Sequence, residues 1–310
     1  MLDYRISVII PCYNEEKVIG ETYKRVKKAL TNAGYVNFEI LFVNDGSFDR
    51  TLNILKHIAE SDKRVKVVSF SRNFGHEAAT SAGINNCGGE LAFIIDADLQ
   101  DPPELFPKMI KTYNEKKCNV VYGVRKHRQK ETIIKKFTSI LFYRLFNYLS
   151  DSKSPPDTGD FRLMDRAVIE SYKRFGEKNK YVRGIISWIG FKQVPFFYER
   201  EPRLSGTTKY SYRKLIALAF NAIFYFSKKP LRIATSLGFL SVMIGLALSL
   251  YVYVGRFYNP VPGWASTLLI IIFFGGVQLL TIGILGQYTG NILDEVKNRP
   301  EYIIDEEINF

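Results

Sequence analysis

The chain has 310 residues, with 43 Lys and Arg against 31 Asp and Glu, a formal net charge of +12. That length holds one large or two modest domains, and that charge calls for an acidic partner: nucleic acid, anionic lipid or a phosphorylated substrate. Cys12, Cys87 and Cys118 have no metal spacing and make no disulfide framework, and three scattered histidines argue against a His-based metal centre.

The first residues, MLDYRISVIIPCYNEE, turn acidic where a secretory signal would still be apolar. Ile6 to Ile10 is a short β-branched run ended by Pro11, which predicts a buried strand. Asn14 is placed to cap the helix that follows, with Glu15 and Glu16 in its first turn, where the helix dipole favours acids. Val18–Leu30, Thr51–Glu60 and Glu77–Asn85 carry helical patterns. Between them Phe38–Val43, Val65–Phe70 and Leu91–Ile95 read as further buried strands. Strands and helices alternating at this spacing predict βαβ units and a mainly parallel sheet. Each strand ends in polar residues: Asn14 and Glu15, Asp45, Arg72 and Asn73, then Asp96 and Asp98. Ligands of open parallel sheets bind at that edge. The chain has no GxGxxG after the first strand and no GxxxxGK[ST], which weakens dinucleotide and P-loop readings.

The stretch FIIDADLQDP, Phe93 to Pro102, concentrates the chemistry. Asp96, Asp98 and Asp101 lie at the end of a buried strand, where like charges repel and desolvation costs free energy. A divalent ion shared with substrate phosphates would offset both, and oxygen ligands suit Mg²⁺ or Mn²⁺. The plainer reading is a solvated acidic turn. A metal at Asp98, with Asp96 and Gln100 beside it, makes a site for a nucleoside diphosphate. Asp45 is positioned to accept from ribose hydroxyls or a base.

Val120 and Val121 predict a fifth strand, followed by a basic run from Arg125 to Lys136. Residues 131–149 carry a wide apolar stripe with Lys135, Lys136 and Arg144 among Phe and Tyr, which suits a helix in a membrane interface or one packed on a core. Asp157 to Arg162 reads as a polar loop entering a strand, then a helix near Arg166 to Arg174; Ile185 to Phe197 reads as strand and turn. Glu199 to Tyr210, dense in Arg, Lys and hydroxyls, suits a loop that grips phosphate. Tyr212 to Phe226 is a second aromatic-rich amphipathic helix. Leu231–Val254 and Trp264–Leu285 are each long enough to span a bilayer of roughly 30 Å. A short connection with Pro260 and Pro262 makes them a hairpin, and Lys228, Lys229, Arg232, Lys297 and Arg299 put its ends in the cytoplasm by the positive-inside rule. Glycines in both spans permit helix association into a homo-oligomer. Glu301 to Phe310 is expected to be an acidic, mobile tail.

Five motifs, taken together, resemble the family 2 glycosyltransferases: P-x-Y-N-E at Pro11–Glu15, N-D-G-S at Asn44–Ser47, D-A-D-L-Q-D-P at Asp96–Pro102, G-x-R at Gly123–Arg125 and G-T-T-K-Y at Gly206–Tyr210. The two-span tail with Gly286–Tyr302 resembles their bacterial polyprenyl-phosphate branch, and the likeness covers nearly the whole chain. It implies an α/β glycosyltransferase A fold with a Rossmann-like sheet, interfacial helices and a two-helix transmembrane hairpin. The implied reaction is inverting transfer of one sugar from a nucleotide sugar, a UDP-sugar such as UDP-glucose or UDP-GlcNAc, to polyprenyl phosphate. Pro11, Tyr13, Glu15 and Asp45 would contact the nucleotide, with Arg203, Ser205 and Lys209 on a loop over it. Asp96, Asp98 and Gln100 would serve Mg²⁺ or Mn²⁺ and the donor phosphates. Arg125, with Lys135 or Lys136, would hold the lipid phosphate. Asp157 or Asp160 is the candidate general base or acceptor-orienting group.

The domain division expected is a cytoplasmic catalytic domain at 1–210, an interfacial helix at 211–230, membrane helices at about 231–254 and 264–286, and a cytoplasmic tail at 288–310. Membrane lipids and a flippase in the same pathway are the further partners, and nucleic acid is not one. Two other readings stay open: a processive polysaccharide synthase, disfavoured by the lack of a Q-x-x-R-W motif, and a membrane-anchored scaffold that binds nucleotide sugar or lipid without turnover.

Overall fold

The computed structural model describes residues 4–125, 158–178, 180–201, 224, 227–255 and 263–310. The expected interfacial helix at 131–149, most of the second at 212–226, and Asp157, Lys135, Lys136, Arg203, Ser205 and Lys209 lie outside the described residues. The chain divides into two compact units, one built on a sheet and including residues 299–310, the other holding the two long helices.

In the first unit β1 (Ile6–Cys12), β2 (Phe38–Asn44), β3 (Val65–Phe70) and β4 (Leu91–Ile94) run parallel, in the order β4-β1-β2-β3. Their residues are almost all buried, because helices cover both faces. On one face α1 (Ile19–Asn32), α2 (Thr51–Ser61) and α4 (Phe106–Lys116) bring Val26, Leu30, Leu55 and Met109 into one core with Val8, Ile40 and Phe93 of the strands. On the other, α3 (His76–Asn86), α5 (Arg166–Lys173) and α6 (Val182–Trp188) bring Ala79, Ala82, Val168, Tyr172 and Ile185 onto Ile9, Leu41 and Ile94. Each fully buried aliphatic side chain contributes about 1.5–3 kcal/mol of transfer free energy. Helix α3 lies close to β1 because Gly83 has no side chain; a Cβ there would run into Ile9.

The sheet continues past β4 through β6 (Thr158–Asp165), β5 (Val120–Arg125) and β7 (Gln193–Tyr198). Strand β6 is antiparallel to both β4 and β5, and β7 is parallel to β5. The reversal of β6 matters for the site. It brings the start of β6 to the same edge as the carboxyl ends of β1 to β4. Ile94 pairs with Arg162, so two residues further along that register Asp96 faces Asp160.

Three expectations are corrected. Asn14 does not cap α1: its φ is 54°, its side chain accepts from Phe48 N at 2.8 Å, and Val18 occupies the cap position without a side-chain bond. Of the segment Ile185 to Phe197 read as strand and turn, Gln193 onward is strand, but residues up to Trp188 belong to the helix Val182–Trp188, because Ile185 and Ile186 pack on the second core and Glu77 accepts from Val182 N at 2.9 Å. The acidic tail is not loose. Ile304–Ile308 forms β8, antiparallel to β3 at the edge of the sheet, with alternating half-buried and exposed residues. Tyr302 stacks on Phe70 at 4.9 Å between centroids, and Glu301 pairs with Lys180 at 3.4 Å and accepts from Ser81 at 3.0 Å.

In the second unit α7 (Lys229–Gly255) and α8 (Trp264–Val296) are both long and apolar enough to cross a membrane. Pro230 sits in the first turn of α7, where a missing N–H costs nothing. Helix α8 runs ten residues past the expected end at 286, since no proline or capping glycine stops it before Lys297. Its polar end is anchored within the unit. Tyr288 donates to Ser227 O at 2.6 Å, and Asn291 donates to Phe224 O at 3.2 Å.

Candidate active site

The carboxyl edge of the sheet gathers His76, Asp96 and Asp160, with one ligand atom from each within 4.8 Å of the others. His76 opens α3 after Gly75, whose φ of 105° turns the chain into the helix. Its Nε2 lies 3.2 Å from Asp160 Oδ2 and 3.7 Å from Asp96 Oδ1. Burial opposes the imidazolium, but the Asp160 bond and the Asp96 charge outweigh it and push His76 up to about 10. Burial and the neighbouring carboxylates of Asp160, Asp101 and Asp98 push Asp96 up to about 6, against the pull of His76. Asp160 goes the other way. Although it is buried, the His76 bond and the guanidinium groups of Arg183 and Arg162 hold it well below the usual carboxylate range. Arg183 Nε approaches Asp160 Oδ1 to 3.1 Å. A carboxylate held so firmly ionised is a weak proton acceptor and a good orienting group.

The residues fit a divalent cation. Asp96 Oδ1 is buried with no hydrogen-bond partner among the described residues, and two carboxylates with one imidazole nitrogen make an acceptable donor set for a divalent cation that displaces the proton of His76. Of the expected set, Asp98 is buried and accepts from Gln100 N at 3.1 Å, closing a turn in which Leu99 has a φ of 57°. Gln100 is half-buried in the same turn. Thus Asp96 joins the observed cluster, and Asp98 and Gln100 shape the loop just beyond it.

The expected nucleotide residues lie along the ends of β1 and β2. Pro11 is buried in β1 opposite Val43, and Tyr13 packs edge-on against the exposed Phe48. Glu15 begins the approach to α1: its carbonyl accepts from Ile19 N at 2.9 Å, and its own N–H donates to Thr51 Oγ1 at 2.9 Å. Asp45 is 3 % exposed and its oxygens are already engaged, accepting from Phe74 N at 2.7 Å, Gly75 N at 3.0 Å and Asn73 Nδ2 at 2.8 Å. Burial raises its pKa, with the Phe74 and Gly75 amides and the charges of His76 and Arg72 opposing. Asp45 therefore acts first on the loop ahead of His76. Gly46, at φ 63°, lets that loop come close; a Cβ would meet Asn73 N at 2.6 Å.

Arg125, at the end of β5, lies 4.0 Å from Asp101 Oδ2, and Arg200, two residues beyond β7, lies 3.5 Å from Asp101 Oδ1. Asp101 is fully buried and accepts the Tyr198 hydroxyl. The sequence argued against a His-based metal centre, whereas His76 stands in the one such cluster among the described residues; Arg183, Tyr198 and Arg200 were not singled out. The signal available for Arg200 was its place in the basic loop; that for His76 was its place in the polar segment after a strand, where ligands of open α/β sheets bind.

This arrangement of strands, with an acidic turn at the carboxyl edge and an antiparallel strand returning to it, is that of the glycosyltransferase A fold. The mannosyltransferase PcManGT from Pyrobaculum calidifontis, solved with GDP-Man and Mn²⁺, matches it with a TM-score of 0.52 over 96% of this chain and 88% of that one, at 15% identity. The model of glycosyl transferase family 2 matches residues 7–173. The uncharacterized glycosyltransferase YkcC of Bacillus subtilis is 47% identical over 300 residues, 96% of this chain and 92% of its own. The bactoprenol glucosyl transferase of Shigella phage SfV is 40% identical over 305 residues, 98% and 99% of the two chains. The chain belongs to glycosyl transferase family 2.

Proposed function

We propose that this protein transfers one sugar from a nucleotide sugar to a polyprenyl phosphate at a membrane. The observation that carries this reading is the end-to-end likeness, membrane helices included, to bactoprenol glucosyl transferases. It supports single transfer over polymer synthesis and over a scaffold without turnover. It favours glucose as the sugar and undecaprenyl phosphate as the acceptor; a UDP-sugar is the donor that the motif resemblance implies.

In the reaction, a lipid phosphate oxygen attacks C1 of the sugar while the bond from C1 to the nucleoside diphosphate breaks, which inverts the configuration. The phosphate is anionic near neutral pH, so no proton need be removed from it. Asp160, held ionised by His76 and Arg183, orients groups at the reacting centre rather than accepting a proton. Asp157 remains the alternative for a base. Pro11, Tyr13 and Glu15 line the nucleotide's path, and Asp45 sets the loop beside it. Arg203, Ser205 and Lys209 act on the donor, and Arg125 with Lys135 or Lys136 on the acceptor. Asp96, with His76 and Asp160 or with Asp98 and Gln100, would hold a divalent cation. When bound, Mg²⁺ or Mn²⁺ would supply positive charge to the departing diphosphate.

Membrane placement has a topological support. Strand β8 lies in the same sheet as β1, so the chain between them leaves and returns to one side. Two spans satisfy this, with both ends cytoplasmic by the flanking Lys and Arg. A homo-oligomer and a flippase acting on the product complete the expected partners.

The test is a panel of labelled nucleotide sugars offered to the purified protein with undecaprenyl phosphate and Mn²⁺. UDP-glucose should label an organic-soluble lipid, and chelator should stop it. Labelling by a different sugar would replace glucose; labelling of no lipid by any donor would sink the reading.

A further inference from the structure

We propose that Arg125 and Arg200 form a two-guanidinium cradle for a phosphoryl group of the reaction, aimed by the buried pair Asp101 and Tyr198. The proposal rests on the transferase reading and adds Arg200, Tyr198 and Asp101 to it.

The geometry starts from the sheet. Strands β5 and β7 pair in parallel, with Arg125 opposite Tyr198. Tyr198 is 4 % exposed, packs edge-on against Phe161 at 5.4 Å, and gives its hydroxyl proton to Asp101. Asp101 closes the turn that begins at Asp96, so its carboxylate sits under the catalytic edge. Beyond Tyr198 the chain is fixed again. Glu201 N donates to Gln100 O at 2.9 Å, and Glu201 pairs with Arg25 at 3.0 Å, which also pairs with Glu104 at 2.7 Å. Arg200 is thus held from both sides.

Bonding then decides what the cluster can take. Asp101 faces two guanidinium groups, at 4.0 and 3.5 Å, with the carboxylates of Asp96 and Asp98 beside it. Asp101 is 0 % exposed, yet Asp101 Oδ2, Arg125 Nε and Arg200 Nε are buried without a hydrogen-bond partner among the described residues. Neither guanidinium is fully bonded by Asp101, so both keep N–H donors to offer an anion. The two side chains remain 29 % and 27 % exposed, so a ligand can reach them. Each guanidinium presents five N–H donors in a planar fork that matches phosphate oxygens, and Asp101 uses few of them. Two phosphoryl groups have this chemistry: the monophosphate of the acceptor lipid and the diphosphate of the donor.

The experiment measures KM for each substrate with the full-length protein in detergent, for wild type, Arg200→Ala and Arg200→Lys. Arg200→Ala should raise KM for one phosphate substrate by about 10-fold or more and leave the other within about twofold, as loss of a charge-assisted bond predicts. A shift for the lipid assigns the cradle to the acceptor; a shift for the nucleotide sugar assigns it to the leaving diphosphate. Arg200→Lys should recover only part of the loss, because an ammonium keeps the charge and loses the fork. Unchanged KM for both substrates in Arg200→Ala overturns the proposal, whether or not kcat falls. If Arg200→Ala unfolds, Arg200→Lys decides by the same criterion. A wild-type protein that transfers nothing would count against the transferase reading instead. Calorimetric binding of farnesyl phosphate and of UDP would then decide the cradle, with equal affinities in wild type and variant overturning it.

Discussion

At the scale of single residues, the structure distinguishes groups that hold the unit together from groups left ready for a ligand. Asp62 is of the first kind. It accepts from Tyr23 at 2.9 Å and from Arg64 at 2.9 and 2.8 Å, and it pairs with Lys27 at 2.9 Å. Arg64 chiefly, with Lys27 and Tyr23 and against the effect of burial, depresses its pKa below the ordinary 3.8. A depressed folded pKa means stability that is present above the unfolded value and lost as the pH falls through the folded one. Asp62→Asn should therefore be less stable than wild type at pH 7 by about 1–3 kcal/mol, and the two should converge as the pH falls below about 3.8; a gap in thermal unfolding that persists in acid would contradict this. Asp96 is of the second kind, common to the expected metal set and the observed cluster. Asp96→Asn should abolish Mn²⁺-dependent transfer, by about 100-fold or more, while leaving the unfolding temperature within a few degrees. His76→Asn separates the two ligand sets. If His76 is a ligand, the Mn²⁺ concentration for half-maximal activity rises; if Asp98 and Gln100 hold the ion, it stays put and Asp98→Asn raises it instead. Gly46→Ala tests the loop: with φ at 63° and Asn73 N in the path of a Cβ, it should destabilise the unit by several kcal/mol.

At the scale of elements, the parallel strands were legible because they are buried on both faces, so their sequences are unbroken apolar runs such as Ile6–Ile10 and Phe38–Val43. The acidic turn at Asp96 was legible for the opposite reason, since three carboxylates crowded after such a run repel one another and call for a compensating cation. Strand β8 was not legible. Its residues IDEEI look like a solvated tail, and only pairing with β3, more than 230 residues away, makes them a strand. His76 was missed likewise, because Asp160 reaches it only through the reversal of β6. Helix 182–188 was hidden by Gly184 and Gly190, which suggest a turn. The edge strand carries a prediction of its own. Amides of 304–308 that donate into the ladder should exchange slowly, in step with those of Val65–Phe70. Deleting 301–310 should speed exchange in Val65–Phe70 and expose an apolar edge prone to aggregation. Fast exchange at 304–308 in the intact chain would remove β8 from the account.

At the scale of the whole molecule, a soluble-looking sheet unit is interrupted by a long apolar excursion and then completed by the last strand. Chain connectivity thereby joins the sheet unit to the start of α7 and to the end of α8. The orientation can be read with a membrane-impermeant thiol reagent. Phe310→Cys should react only after permeabilisation, and Asn259→Cys, in the connection between the two helices, should react in intact cells; the reverse pattern would invert the topology. The central claim is that one sugar passes to a lipid phosphate, and mass spectrometry of the lipid product tests it most directly. Purified protein with undecaprenyl phosphate, UDP-glucose and Mn²⁺ should yield undecaprenyl phosphate carrying a single hexose, absent with chelator and absent with Asp96→Asn. A ladder of several hexoses, or free glucose with the lipid phosphate unchanged, would contradict it.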